Sequence, residues 1–208
     1  MTTLPPYIAL EGAEGSGKST QAAMLAASLD AVLTQETGGT AIGSRLRQIL
    51  HDNDVVELDA RAESLIAAAD RAQHVAEVVL PALRAGRAVV SDRSVYSTLA
   101  YQGYGRQLDL AELRRINDWA VQGVWPSLVV FVEARPDVVA DRLNERHLDR
   151  FERAGDAFHE RVLDGYRELA ANDPHRWIVV TSEGSKDDVA AIVLNEVRQR
   201  LTDRDVRR

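Results

Sequence analysis

The chain has 208 residues, 45% hydrophobic and 27% charged, long enough for a buried core and too apolar for disorder as its main state. Its 25 Lys and Arg stand against 32 Asp and Glu, a net charge of −7, which excludes a general affinity for nucleic-acid backbone and requires any polyanion to be caught by local positive clusters. There is no cysteine, hence no disulfide, thiolate metal site or cysteine nucleophile, and no basic-then-apolar leader or long apolar run, so we expect a cytoplasmic protein with neither membrane nor nucleic acid as partner.

Residues 7–10 read as an apolar strand that runs into Gly12-Ala13-Glu14-Gly15-Ser16-Gly17-Lys18-Ser19-Thr20, a fit to the phosphate-binding pattern G-x-x-x-x-G-K-[ST]. Small residues let the backbone curl until several N–H groups point at one phosphate, Lys18 reaches the outer phosphates, and the Ser19 hydroxyl can hold Mg²⁺. The helix beginning at Lys18 adds its positive end and continues over 21–29, with Leu25 and Leu29 spaced for burial. Residues 31–35 form a short strand closed by Glu36-Thr37-Gly38-Gly39-Thr40, which places a loop at the carboxyl edge of the sheet, where open α/β sheets bind ligands. Helical patterns follow over 42–50 and 59–85, the second one alanine-rich and expected to bend or shorten at Pro81.

Residues 86–93 read as a turn and a buried strand with Asp92 and Arg93 at its carboxyl end, facing the phosphate loop. The stretch 94–101 becomes helical towards its end, and Gly103 and Gly105 should break it before a helix over 109–122. Residues 127–132 are the most strand-like run, closed by Glu133 before a helix starting near Pro136. Arg142, Arg146, Arg150 and Arg153 then recur among acidic residues, a pattern that a solvated helix face shares. A helix over 156–171, a strand over 176–181 and a last helix over 186–201 complete the chain, with the charged tail 202–208 frayed. Five apolar strands alternating with helices predict one α/β domain, 1–208, with a mostly parallel five-stranded sheet covered on both faces.

Several stretches together resemble the thymidylate kinase family of P-loop nucleoside-monophosphate kinases: the loop from Gly12 to Thr20, the Glu36-Thr37-Gly38-Gly39-Thr40 turn, Ala69-Asp70-Arg71-Ala72-Gln73-His74, Asp92-Arg93, Ala100-Tyr101-Gln102-Gly103 and Leu148-Asp149-Arg150-Phe151-Glu152. The resemblance implies a P-loop kinase fold with a short arginine-rich lid at about 142–156, transfer of the γ-phosphoryl of ATP to dTMP or a related deoxynucleoside monophosphate, ATP and Mg²⁺ as cofactors, and a homodimer. It implies that Gly12, Glu14, Gly15, Ser16, Gly17, Lys18, Ser19 and Thr20 cradle ATP and that Ser19 and Asp92 hold the metal. On the acceptor, Arg93 would hold the phosphate, Glu14 would face the deoxyribose, Tyr101 would pack on the sugar, and Arg71 and Thr98 would meet the base, with Glu36, Asp92 and Gln102 in the same site. Catalysis would fall to Lys18, Arg93 and the arginines 142, 146 and 150. Some family members carry the catalytic arginine in the phosphate loop; here the loop has none, which puts that burden on Arg142, Arg146 or Arg150.

The chain departs from the family pattern at four positions around the acceptor: Gln35 for arginine, Thr37 for proline, Ala67 for a phenylalanine stacked on thymine, and Ser94 for an aromatic or histidine. Loss of the stacking ring removes about 0.5–1.5 kcal/mol beyond area burial. Asp92-Arg93-Ser94 also resembles the motif of deoxynucleoside kinases, which phosphorylate a nucleoside 5′-hydroxyl and need a carboxylate base near the end of the second strand, where Glu36 stands. A non-catalytic nucleotide-binding paralogue is a third reading, which turnover with any acceptor would exclude.

Overall fold

The computed structural model describes residues 4–55, 57–134 and 149–206. The apolar runs become β1 (Tyr7–Glu11), β2 (Val32–Gln35), β3 (Val89–Asp92), β4 (Leu128–Glu133) and β5 (Trp177–Thr181). They pair in parallel throughout, in the order β2-β3-β1-β4-β5. Central β1 is buried along its whole length, which is why it reads as an unbroken apolar run rather than an alternating one.

Eight helices are described: α1 (Lys18–Leu29), α2 (Ala41–His51), α3 (Ala60–His74), α4 (Leu80–Arg84), α5 (Val95–Thr98), α6 (Leu110–Val121), α7 (Asp156–Asn172) and α8 (Lys186–Val206). They cover both faces, and β4 displays the consequence residue by residue. Leu128, Val130 and Val132 pack with α1 and α8 through Ala22, Leu25, Val189, Val193 and Val197, whereas Val129 and Phe131 turn to the other side and meet Leu99, Leu113, Phe158 and Tyr166. The chain leaves β1 for β2 on one side and crosses to β4 on the other after β3. The carboxyl ends of β1 and β3 therefore flank the crevice at the switch, with the Arg93 N–H donating to Leu10 O at 2.8 Å.

Three expectations about helices are corrected. Pro81 does not shorten its helix: the chain widens into a π-type turn at Val75–Val79, so that the Leu80 N–H reaches back to Val75 O, and the proline follows in the first turn of α4. Gly103 does not break its helix, because Leu99–Gly105 continues α5 as another wide turn; the helical run ends at Gly105, as expected. What these glycines allow is contact: a Cβ on Gly105 would lie 2.5 Å from the Phe158 ring. The tail expected to fray from 202 stays helical to Val206, with Leu201 packed against the core and Thr202 Oγ1 donating to Arg198 O at 3.0 Å. The helix expected near Pro136, Arg142, Arg146 and residues 142–148 of the 142–156 segment lie outside the described residues.

Candidate active site

The phosphate loop turns from β1 into α1 with Gly15 and Gly17 at φ 72° and 92°, values that a side chain at either position would resist. Ser16 is buried inside it, and its Oγ has no protein partner. Lys18 folds back over the loop: Nζ donates to Ala13 O at 3.4 Å and lies 3.5 Å from Glu14 Oε2. Burial lowers the Lys18 pKa, and the neighbouring Arg93 charge lowers it further. Ser19 and Thr20 face outward on the rim of an open cavity of about 1370 Å³, mouth included, which Gly15, Gly17, Lys18, Ser182, Gly184 and Lys186 also line.

Arg93 stands where β3 ends, at φ 71°, a left-handed conformation that costs a non-glycine residue on the order of 1 kcal/mol or more and is held against relaxation by its N–H bond to β1. From there its guanidinium is fixed on every side. One nitrogen donates to Ser97 Oγ at 3.2 Å and Tyr166 OH at 3.3 Å, the other to Tyr101 OH at 3.0 Å and to the Glu14 carboxylate. Burial alone would oppose ionisation of Glu14, but Arg93 and Lys18 outweigh it and hold the carboxyl far below the usual range. Behind Arg93, fully buried Glu11 accepts from Ser94 Oγ and Ser97 Oγ at 2.6 Å each and from Tyr166 OH at 2.9 Å. Burial raises the Glu11 pKa, with Arg93 and the hydroxyls opposing. Asp92, one residue earlier, keeps a buried Oδ1 without a protein partner.

A second cavity, about 490 Å³ with its mouth, opens beside Arg93. It brings together Glu14, Glu36, Arg71, Arg93, Thr98, Tyr101 and Gln102, all singled out from the sequence, with Arg47, Leu50, His51, Ser97 and Phe151 as their neighbours. Thr37, Ala67 and Ser94, three of the departures from the family pattern, line it too. Arg71 Nε donates to Glu36 Oε2 at 2.8 Å, its Nη2 to Ser94 O at 3.2 Å and its Nη1 to Asn117 Oδ1. The other Glu36 oxygen meets His74 Nδ1 at 2.9 Å, and His74 Nε2 meets Thr34 Oγ1 at 2.7 Å. Burial works against the Glu36 charge, yet Arg71 and His74 prevail and lower its pKa. The glycine loop before α2 is held by Asp70 Oδ1, which accepts from the Gly38 N–H at 2.9 Å, and by Arg47, whose Nη1 reaches Thr37 O at 3.2 Å.

Arg150 contacts Leu50, Glu63 and Phe151. Its Nε donates to Leu50 O at 2.9 Å, its Nη2 lies 2.7 Å from Glu63 Oε2, and its guanidinium stacks on Phe151 at 4.6 Å. Gln102 points the same way, Nε2 donating to Glu63 Oε1 at 2.7 Å. The motifs missed Glu11, Arg47, His51, Glu63, Ser97 and Tyr166. Glu11 offered a signal, as a carboxylate closing an otherwise apolar strand; so did Glu63, four and eight residues before Ala67 and Arg71 on one helix face.

The model of the family described as thymidylate kinase matches residues 10–193. The chain is 44% identical over 200 residues to a thymidylate kinase of Synechococcus sp. (strain JA-2-3B'a(2-13)), covering 94% of this chain and 95% of that one. It is also 44% identical over 208 residues to that of Solidesulfovibrio magneticus, covering 94% and 100%. Among solved structures, thymidylate kinase from Ehrlichia chaffeensis superposes with a TM-score of 0.77 at 29% identity, over 94% of this chain and all of that one.

Proposed function

This chain belongs to the thymidylate kinase family, and on that premise we propose how its residues divide the phosphorylation of dTMP by ATP between the two cavities. It is a nucleoside-monophosphate kinase that moves the γ-phosphoryl of ATP to the acceptor phosphate. The observation that carries the division of labour is that Glu14 lines both cavities, so the two meet beside Lys18 and Arg93, the pair of cations a phosphoryl group in flight requires.

On the donor side, the loop N–H groups, Lys18, Ser19 and Thr20 bind the ATP phosphates. On the acceptor side, Arg93 takes the dTMP phosphate in the bidentate manner of a guanidinium, Glu14 and Tyr101 face the deoxyribose, and Arg71, Thr98 and Gln102 surround the base. Arg93 is already oriented by Ser97, Tyr101 and Tyr166, so little reorganisation opposes transition-state stabilisation. Mg²⁺ would be held by Ser19 and Asp92. The fit is supported by the unpartnered buried Asp92 Oδ1 and, among the described residues, by the absence of a preformed cluster of three acidic or histidine ligands, since Mg²⁺ takes one or two carboxylates and completes its shell with phosphates and water. Once bound it neutralises phosphate charge.

Glu36 speaks against a deoxynucleoside-kinase reading. A general base needs a free oxygen and a pKa near the working pH, whereas both Glu36 oxygens are bonded and its pKa is lowered. ADP release with ATP, Mg²⁺ and a panel of dTMP, dUMP, dCMP, dGMP and thymidine tests the reading: dTMP should turn over fastest and thymidine not at all, and turnover of thymidine without dTMP would overturn it.

We also take the chain to be a cytoplasmic homodimer, joined through α3 and α6. Leu65 and Trp119 stand 54% and 82% exposed beside Ala68, Ala72 and Ile116 in one apolar groove, a patch that a second copy would cover. No described helix is long and apolar enough to cross a membrane.

A further inference from the structure

Glu63 is 0% exposed and lies outside every motif discussed above, yet three hydrogen-bond donors and a second guanidinium, from two separate segments, converge on its carboxylate. Gln102 Nε2 donates to Oε1 at 2.7 Å, Arg106 donates through Nε at 3.3 Å and Nη2 at 3.2 Å, and Arg150 Nη2 lies 2.7 Å away. A buried carboxylate is costly unless charge and hydrogen bonds compensate it, and two guanidiniums with an amide do so here. Such a cluster tolerates one arrangement of its members, in contrast to an apolar contact that can slide.

The members also form the wall of the acceptor cavity. Gln102 lines it directly. Arg150 links to two further lining residues, donating to Leu50 O at 2.9 Å and laying its guanidinium over the Phe151 ring at 4.6 Å. Phe151 in turn meets Tyr101 and His51 edge-on, at centroid distances of 5.8 and 5.3 Å. Glu63 itself sits four residues before Ala67 and eight before Arg71, so α3 carries the anchor, the small wall residue and the base-facing arginine on one side.

We propose that Glu63 is a positioning residue of the acceptor pocket: its buried carboxylate sets Gln102 directly and, through Arg150, sets Phe151 and Leu50, so that the wall facing the acceptor is held in place by charge. This rests on the acceptor reading of the 490 Å³ cavity. Glu63 touches no substrate and acts only through these neighbours. Its loss therefore weakens acceptor binding and leaves the donor side, built on β1 and α1, as it was.

The test is steady-state kinetics with each substrate varied, together with calorimetric binding of dTMP and of a non-hydrolysable ATP analogue, on the parent, Glu63→Gln, Arg150→Met and the double variant. Glu63→Gln should raise the dTMP KM and Kd about tenfold while kcat and the ATP KM stay within about twofold. Arg150→Met breaks the same contact from its more exposed side and should reproduce that selectivity even if Glu63→Gln folds poorly. The double variant should be no worse than the weaker single one, because both remove one linkage. Equal losses for both substrates, or additive effects in the double variant, would mean that Glu63 merely stabilises the fold, and folded variants that bind dTMP as the parent does would overturn the proposal outright. Failure of the parent to bind dTMP would overturn the acceptor reading first, and this inference with it.

Discussion

Glu14 lies between Lys18 and Arg93, its carboxylate paired with both cations, and the Arg93 guanidinium is the one proposed to receive the acceptor phosphate. On the proposed division of labour, the acceptor phosphate takes that place and Glu14 turns to the sugar. Replacement of Arg93 by Ala should accordingly raise the dTMP KM by two orders of magnitude or so and the ATP KM little, in initial-rate measurements with each substrate varied. Lys18→Ala should lower kcat by about 10²–10³ while a thermal melt stays near that of the parent, since the side chain is committed to phosphate charge and adds little to the core. Glu36 yields a pH prediction. Its folded pKa is depressed, so its contribution to stability is complete above the ordinary carboxylate value of about 4.3 and is lost as pH falls through that value towards the folded one. Parent and Glu36→Gln, melted from pH 7 downward, should therefore differ most near neutrality and converge below about pH 4; a gap that stayed constant would assign the effect to packing instead of charge.

At the level of elements, α3 is the wall from which the acceptor cavity is built. Spacings of four and eight put Glu63, Ala67 and Arg71 on the cavity side, and Asp70 and His74, one turn on, brace the loop after β2 through Gly38 and Glu36. The π-type turn that follows lets the chain absorb Pro81 without moving these residues. The arginine-rich stretch divides in two by the same reasoning. Arg150 is bound to Glu63 and Leu50, so Arg150→Ala should act on the dTMP KM. Since the phosphate loop carries no arginine, Ala at Arg142 or Arg146 should instead lower kcat about a hundredfold or more at saturating substrates, a conservative fraction of the 10³–10⁵ that arginine fingers supply. If both stayed within about threefold of the parent, the run would be a solvated face, and charge would have to be neutralised from elsewhere.

For the molecule as a whole, one exposed indole on α6 should decide the assembly. Trp119→Glu puts an unpaired charge in the centre of the proposed α3–α6 contact and should convert a dimer of this 22.9 kDa chain to monomers in sedimentation velocity, with little change in the fold because the side chain is 82% exposed. A variant that sediments as the parent does would place the interface elsewhere. Much of this architecture was legible in the amino-acid order because it is written locally. The phosphate loop is nine consecutive residues, the inner strands are short apolar runs buried on both faces, and Asp92-Arg93 ends a strand that lies beside β1. What the sequence left open depends on partners far apart in the chain. Glu11 is 83 residues from Ser94 and 155 from Tyr166, and no spacing rule connects them. The same holds for Arg150, whose charge pattern does not reveal its ion pair with Glu63, and for Gly103, a residue type that breaks helices locally but here sits inside a helical run packed against Leu110. Composition and periodicity determine which segments are buried and in what form, because those depend on neighbours within a few residues. Which buried charge meets which is decided only when the sheet has closed and distant segments are brought within hydrogen-bonding distance, since a buried carboxylate is tolerable only where donors from elsewhere in the chain arrive to satisfy it.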